Sequence, residues 1–232
     1  MSGLGIRSRE EEQMDALDLD FESYAALLTD LAKVNRLLLS ARPTLAFLAR
    51  AMGGRRRFRL LDVGFGHGDM LRSISRWARA REIDAELIGI DLNPRSEIVA
   101  KAATPAGTGI SFQTGDYAGL AGEGFDFVIS NFVAHHMADD QLIAFLRFME
   151  AEARIGWLVN DIRRSAFAHA TYPWLARAMR WHRIVREDGT LSIARGWREA
   201  EWPPYLAAAG GHAATARIVR RFPFRLCVER TR

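Results

Sequence analysis

The sequence has a single cysteine, Cys227, among 232 residues. No internal disulfide and no cysteine-based metal cluster can form, and any mechanism needing two thiols is excluded. Lysine is scarce: thirty of the 32 basic residues are arginine, leaving only Lys33 and Lys101. No run approaches the ~18 apolar residues of a membrane-crossing helix. The first twenty residues are polar and acidic and lack the apolar segment of a secretory leader, so the expected location is cytoplasmic. Neither sign of charge dominates, since the net value is +4. Nucleic-acid binders concentrate positive charge on one face, so a nucleic-acid partner is not expected. The tightest basic run, Arg55-Arg56-Arg57-Phe58-Arg59, reads as a solvated loop. Hydrophobic residues make up 49% and charged residues 26%. That balance excludes global disorder, and the length suits one large domain with additions.

The N-terminal stretch to residue 20 reads as a flexible acidic arm. From Phe21, apolar residues Tyr24, Leu27, Leu28, Leu31, Val34 and Leu38 recur at three- and four-residue steps, the stripe of an amphipathic helix. A second helix is expected over Thr44–Met52, ended by Gly53-Gly54. Short apolar runs then alternate with helical stretches. Strands are expected at Phe58–Val63, Glu86–Leu92, Ile110–Thr114, Phe125–Phe132 and Ile155–Ile162. Continuous apolar strands separated by helices indicate a parallel sheet covered on both faces. After Ile162 the rhythm changes: an aromatic-rich helix at Ser165–Trp181, a short strand at Gly189–Ile193, a helix at Glu199–Ala209, and a terminal hairpin of Ala213–Val219 and Phe224–Glu229 around Pro223.

The strongest motif is Leu60-Leu61-Asp62-Val63-Gly64-Phe65-Gly66-His67-Gly68-Asp69. Glycines at alternate positions follow a buried strand and open a helix, where the backbone can turn sharply and approach a ligand closely. Asp91 ends the second strand, 23 residues after Gly68. An acid at that tip accepts hydrogen bonds from ribose hydroxyls, so the ligand is expected to carry an adenosine-like ribose. A nicotinamide fingerprint would place its third glycine at position 69, which is Asp69, an anion where pyrophosphate must nestle. A phosphate-binding loop would need a Gly-Lys-Ser/Thr ending, and there is none. The pattern suits a ligand without phosphate.

Over about residues 58–162 the chain resembles the class I S-adenosylmethionine-dependent methyltransferases. Asp62 to Gly68 is similar to their first motif, Asp91 to their second-strand acid, Thr114-Gly115-Asp116-Tyr117 to the segment that contacts adenine, and Phe125–Asn131 to their fourth strand. The resemblance implies an α/β, Rossmann-like, seven-stranded, mostly parallel sheet with an antiparallel last strand, plus N-terminal helices. It implies S-adenosylmethionine as cofactor, held by Asp62, Gly64, Phe65, Gly66, Gly68, Asp91, Leu92, Asp116, Tyr117 and Asn131. Residues 1–52 form an arm and helices on the lid and acceptor side, and residues 53–232 form the cofactor-binding domain, with a helical insertion at about 164–200.

The acceptor is expected above the carboxyl ends of the fourth and fifth strands. Two constellations lie there. Ser130-Asn131-Phe132-Val133-Ala134-His135-His136 offers two imidazoles, of which His136 is favoured over His135 as general base for a phenol or enol. Val159-Asn160-Asp161-Ile162-Arg163-Arg164 offers Asp161 to orient a histidine or bind an acceptor hydroxyl, and arginines for an acceptor anion. The Asn-Pro-Pro-aromatic turn of amide and adenine N-methylation is missing. Cys227 lies on the last strand, far from this edge, which argues against a cysteine nucleophile. Ser130-Asn131 stands where catechol-type enzymes place a metal-binding Asp, so no metal is expected. Phe167, His169, Tyr172, Trp174, Leu175, Met179, Trp181 and His182 are candidates for an aromatic acceptor lining. Residues 12–50 and Asn160–Arg164 look like those of bacterial methyltransferases encountered beside type III polyketide synthase genes, which implies a small phenolic or quinol-type acceptor and O-methylation. An RNA or protein methyltransferase and a non-catalytic cofactor-binding regulator are the alternatives. The oligomeric state is not legible.

Overall fold

The computed structural model describes residues 4–15 and 19–232. Seven strands form one sheet: β1 (Arg57–Val63), β2 (Asp84–Asp91), β3 (Ile110–Thr114), β4 (Phe125–Asn131), β5 (Ala153–Ile162), β6 (Arg217–Arg221) and β7 (Arg225–Thr231). Their order is β3-β2-β1-β4-β5-β7-β6. The first five run parallel. The β7 strand is antiparallel both to β5 and to β6. The sheet is thus the expected mixed one, with the chain reversing at the terminal hairpin.

Both faces of the sheet are buried, as the unbroken apolar runs require. One face packs Leu61, Val128, Trp157 and Val159 beneath helices α5 (Asp139–Glu152) and α8 (Trp202–Ala209). The other packs Leu60, Phe127, Ile129 and Leu158 beneath α2 (Ala41–Ala51) and α3 (Asp69–Arg79). On that side Phe127 meets Phe47 and Phe58 edge-on, with ring centroids 6.0 and 5.7 Å apart. A third cluster joins α1 (Phe21–Leu37) to α6 (Ala166–Ala178) and α7 (Arg183–Arg195) through Tyr24, Leu27, Leu28, Trp181, Ile184 and Val185. These three helices roof the carboxyl edge of the sheet. The remaining helix, α4 (Pro94–Ala102), begins at the N-cap Asn93, whose side chain accepts from the Arg95 amide, with Pro94 in the first turn.

Several sequence expectations are corrected. Gly189–Ile193 is not a strand; it lies inside α7, where Val185, Asp188, Ser192 and Ile193 are buried at helical spacing. Gly189 is there for close packing rather than as a turn: a Cβ on it would sit 2.2 Å from the Tyr172 hydroxyl. The segment at Ala213–Thr215 is a short 3₁₀ turn rather than the start of a strand. The described part of the N-terminal arm is not a flexible acidic tail. Leu4 and Glu12 are buried. The Arg7 guanidinium lies 4.0 Å from the Trp197 ring centroid and donates to the carbonyls of His135 and Met137. The Ser8 amide donates to Ala194 O, and Arg198 donates to Leu4 O. Residues 1–3 and 16–18 of that arm lie outside the described residues. The basic run is exposed at Arg55–Arg57, as expected of a solvated segment, but it is not all loop: β1 begins at Arg57, which meets Asp84, and Arg59 meets Glu86 and Glu123.

The contact between β5 and β7 has no space to spare. A Cβ at Gly156 would lie 2.4 Å from Arg230 O. Gly156→Ala is therefore expected to destabilise the fold by about 1–3 kcal/mol, the usual cost of overpacking, read as a lower urea midpoint at constant slope. An unchanged midpoint would contradict this strand pairing.

Candidate active site

One cavity of about 260 Å³ opens between the carboxyl edge of the sheet and the helical roof. Of the residues singled out by the sequence, Asp62, Gly64, Phe65, Gly66, Asn131, His135 and His136 border it. Gly68, Asp91, Leu92, Asp116, Tyr117 and Asp161 do not. Gly68 ends the glycine loop, and Asp91 holds that loop through the Gly66 amide. Leu92 points outward, 75% exposed. Asp116 caps the short 3₁₀ turn at Tyr117–Leu120, accepting from the Ala118 amide. Tyr117 packs its ring on Phe145 and Phe148. Of the aromatic-rich segment after β5, Tyr172 and Leu175 border the cavity, along with Ala168 and Thr171. Phe167, Trp174 and Met179 are exposed, Trp181 is buried in the roof, and His182 caps α7.

The glycine loop is built for close approach. Gly64, Gly66 and Gly68 have φ of 76°, 50° and 77°, values that favour glycine. A Cβ at Gly64 would stand 2.4 Å from Val133 Cγ2, whereas a Cβ at Gly66 would meet only Leu28 Cδ2, at 3.7 Å, across the open cavity. Asp91 stiffens the loop: its Oδ2 accepts from the Gly66 amide and its Oδ1 from the Asn93 amide, both at 2.9 Å.

The same loop gathers negative charge. Asp62 is fully buried, and its carboxyl is pushed well above the ordinary range by burial and by neighbouring Asp69 and Asp91. Asp69 is raised by burial, against the help of Asn35 and Arg72. His67 is driven down to about 4 by burial and by Arg72, so it is neutral. A phosphate placed here would add to the strain on Asp62, whereas a cation would relieve it. The donor set fits S-adenosylmethionine, which carries a sulfonium, an ammonium and a ribose diol and lacks phosphate. Asp62 would face its cationic end, Asp91 its ribose, and Gly64 and Gly66 its close flank. Asn131 is fixed beside Asp62: its Oδ1 accepts from Thr44 Oγ1 at 2.9 Å and Asn160 Nδ2 at 3.1 Å.

At the far side of the cavity the two histidines differ. His135 is buried, and its Nδ1 lies 2.7 Å from Asp161 Oδ1. Its Nε2 faces Glu12 Oε1 at 3.5 Å. Burial alone would lower the His135 pKa, but Asp161 and Glu12 outweigh it and raise it to about 9. Burial would raise Glu12, but His135, His136 and Ser192 pull it down to about 2. His136 is partly exposed to the cavity, 3.9 Å from Glu12 Oε2, with its ring centroid 4.2 Å from that of His135. Glu12, His135 and His136 each offer a donor atom within 4.8 Å of the others, close enough for one divalent cation. The Arg195 guanidinium already places a positive charge there, 3.8 Å from Glu12, and the cluster reads as an ion-pair network.

Sequence reasoning missed Glu12, Asp188, Ser192, Arg195 and Arg225. Ser192 Oγ donates to Glu12 Oε1, and Asp188 accepts from the amides of Gln13 and Met14. These partners stand more than 170 residues from the arm in the chain, so no local motif could reveal them.

A family described as a methyltransferase domain matches residues 60–156. Ubiquinone biosynthesis O-methyltransferase from Cereibacter sphaeroides is 38% identical over 151 residues, covering 59% of this chain and 58% of the relative. The enzyme of the same name from Azorhizobium caulinodans is 33% identical over 115 residues, covering 48% and 40%. The chain thus spans less than two thirds of these curated relatives. Magnesium protoporphyrin IX methyltransferase from Synechocystis, solved with bound S-adenosylhomocysteine, superposes with a TM-score of 0.57 at 17% identity over 94% of this chain and 90% of its own. An O-methyltransferase family protein from Burkholderia thailandensis gives 0.65 at 13% identity over 95% and 63%. At such identities the structural likeness is one of fold.

Two outcomes are expected. Gly66→Ala puts a methyl group into the cofactor cradle and should weaken S-adenosylhomocysteine binding by about tenfold or more by calorimetry, at about 1 kcal/mol of stability; undiminished affinity would remove the loop from the binding site. The His135 contribution to stability is complete below its unfolded value of 6.5 and is lost as pH rises through about 9. The melting temperature should fall across that window, and His135→Asn should flatten the fall. A decline of equal slope in the variant would show that the pair contributes nothing.

Proposed function

We infer that the chain is a class I S-adenosylmethionine-dependent methyltransferase, and we propose that it methylates a hydroxyl oxygen of a small phenolic or quinol-type acceptor; the matched methyltransferase domain, the curated relatives and the shared fold support this reading. The observation that carries this reading is His136, an imidazole at the wall of an otherwise largely apolar cavity, backed by a buried Asp161–His135–Glu12 chain. The names of the curated relatives, enzymes of O-methylation in ubiquinone biosynthesis, support oxygen as the target and a quinol-type ring as the acceptor.

Bound in the glycine cradle, S-adenosylmethionine supplies an electrophilic methyl carbon on a sulfonium. The protein's own residues then have two tasks, alignment and proton removal. Asp62, Gly64, Phe65, Gly66, Asp91 and Asn131 border or brace the cradle. Asp116, Tyr117, Leu92 and Gly68 remain candidates at its adenosine end. His136 takes the acceptor's hydroxyl proton, and Glu12 faces the positive charge the ring acquires. His135, held protonated between Asp161 and Glu12, positions the pair rather than accepting a proton itself. Met14, Leu27, Leu31 and Leu38 from residues 1–52, with Tyr172, Leu175 and Val185 from the insertion at about 164–200, wall the acceptor side with apolar surface suited to a flat ring. Acceptor selectivity is assigned to these two segments.

His136→Ala should lower turnover on a phenolic acceptor by about 10²–10⁴-fold, the usual contribution of a positioned base, with S-adenosylhomocysteine affinity nearly unchanged. Near-normal turnover would remove His136 as base. Turnover should also survive prior treatment with a strong chelator. Loss of activity that a divalent cation restores would make Glu12, His135 and His136 metal ligands rather than a base with its supporting ion pairs.

A further inference from the structure

Arg225 is the one arginine or lysine that borders the cavity among the described residues. It opens β7 opposite Ile162, the last residue of β5, so it stands on the acceptor side of the sheet, with β4 and β5 between its strand and the glycine loop. Its side chain is only 5% exposed. Nη2 donates to Ser40 Oγ at 2.9 Å, and Nε has no hydrogen-bond partner. No carboxylate of the described residues lies within ion-pair distance. Asp161 is the counter-charge it feels, yet the Asp161 oxygens are already taken by His135 Nδ1, the His135 amide and the Ile162 amide. The guanidinium instead lies 4.6 Å from the ring centroid of Phe132, a residue held at φ 61° just past β4. Such a conformation is costly for a bulky side chain and collects at ligand sites.

A buried guanidinium with an unsatisfied N–H and no ion pair is expensive to keep. The expense is recovered when a ligand brings the missing anion, and the planar fork of arginine matches a carboxylate. We propose that Arg225 receives a carboxylate on the methyl acceptor, so that the substrate is a phenolic acid rather than a neutral phenol. This rests on the O-methyltransferase reading above. A carboxylate is preferred to a phosphate dianion because Glu12, Asp62, Asp69 and Asp188 border the same cavity and would repel the second charge. The acceptor is preferred to the cofactor as the source of the carboxylate because of the strand positions between Arg225 and the glycine cradle.

The test compares a dihydroxybenzoate with the matching benzenediol, a pair differing by the carboxylate alone, in methyl transfer and in direct calorimetric binding. The wild-type enzyme should favour the acid by about tenfold or more in kcat/KM, the scale of one buried charge-assisted hydrogen bond. In Arg225→Gln the ratio should collapse towards one, and Arg225→Lys, which keeps the charge, should retain part of it. S-adenosylhomocysteine affinity measures both the fold and the cofactor site in each variant and should stay near the wild-type value. No preference in the wild type, or a preference that survives in Arg225→Gln, would overturn the proposal. So would a parallel loss of S-adenosylhomocysteine affinity, which would assign Arg225 to the cofactor's own carboxylate. If the acid binds in an Arg225-dependent way but no phenol is methylated, the carboxylate site stands and the transfer reading fails.

Discussion

The acceptor half of the molecule depends on one buried carboxylate. Asp161 is fully enclosed at the end of β5 and accepts from the His135 amide, His135 Nδ1 and the Ile162 amide. Those bonds tie the loop after β4 to its neighbour strand and fix the plane of the His135 ring. His135 in turn presents Nε2 to Glu12, which draws the N-terminal arm over the site. The same negative charge partly offsets the buried guanidinium of Arg225. Removing Asp161 would leave His135 Nδ1 and two backbone amides without their acceptor and Arg225 without the counter-charge it feels, all in low dielectric.

The cofactor half is organised by a different constraint. There, carboxylates are crowded: Asp62, Asp69 and Asp91 stand at a loop of glycines in left-handed conformation. Burial raises the Asp62 carboxyl and the nearby Asp69 and Asp91 add to that rise, so a cationic ligand is favoured there over an anionic one. The two halves meet at Asn131, whose carbonyl is fixed by Thr44 from α2 and Asn160 from β5 and whose amide reaches Asp62. The apolar core on either side of the sheet holds these polar groups in place, and Cys227 closes the network with its thiol on Asn160.

The sequence made the cofactor half legible and the acceptor half only partly so. The glycine loop, Asp91 and the buried strands are local: spacing within about thirty residues, together with unbroken apolar runs, is enough to read them. The pairing of Asp161 with His135 could be anticipated because adjacent parallel strands bring their carboxyl ends together. The role of Glu12 could not, because Glu10-Glu11-Glu12 has the composition of a solvated tail, and its burial arises from Ser192, Arg195 and His135, all distant in the chain. Arg225 was hidden likewise, inside a strand whose periodicity says only that it is buried. The short strand expected at Gly189–Ile193 failed for a physical reason: five residues are too few to separate a strand period from a helical one, and the close approach of Tyr172 to Gly189 is a contact distant in the chain.

The account turns on where a methyl group goes. Incubation with methyl-labelled S-adenosylmethionine and a panel of phenols and phenolic acids, followed by mass and NMR analysis of the product, addresses that directly. The label is predicted on an ether oxygen, with one S-adenosylhomocysteine released for each product molecule. Label on a ring carbon or on nitrogen, or cofactor binding with no transfer to any phenol, would contradict it.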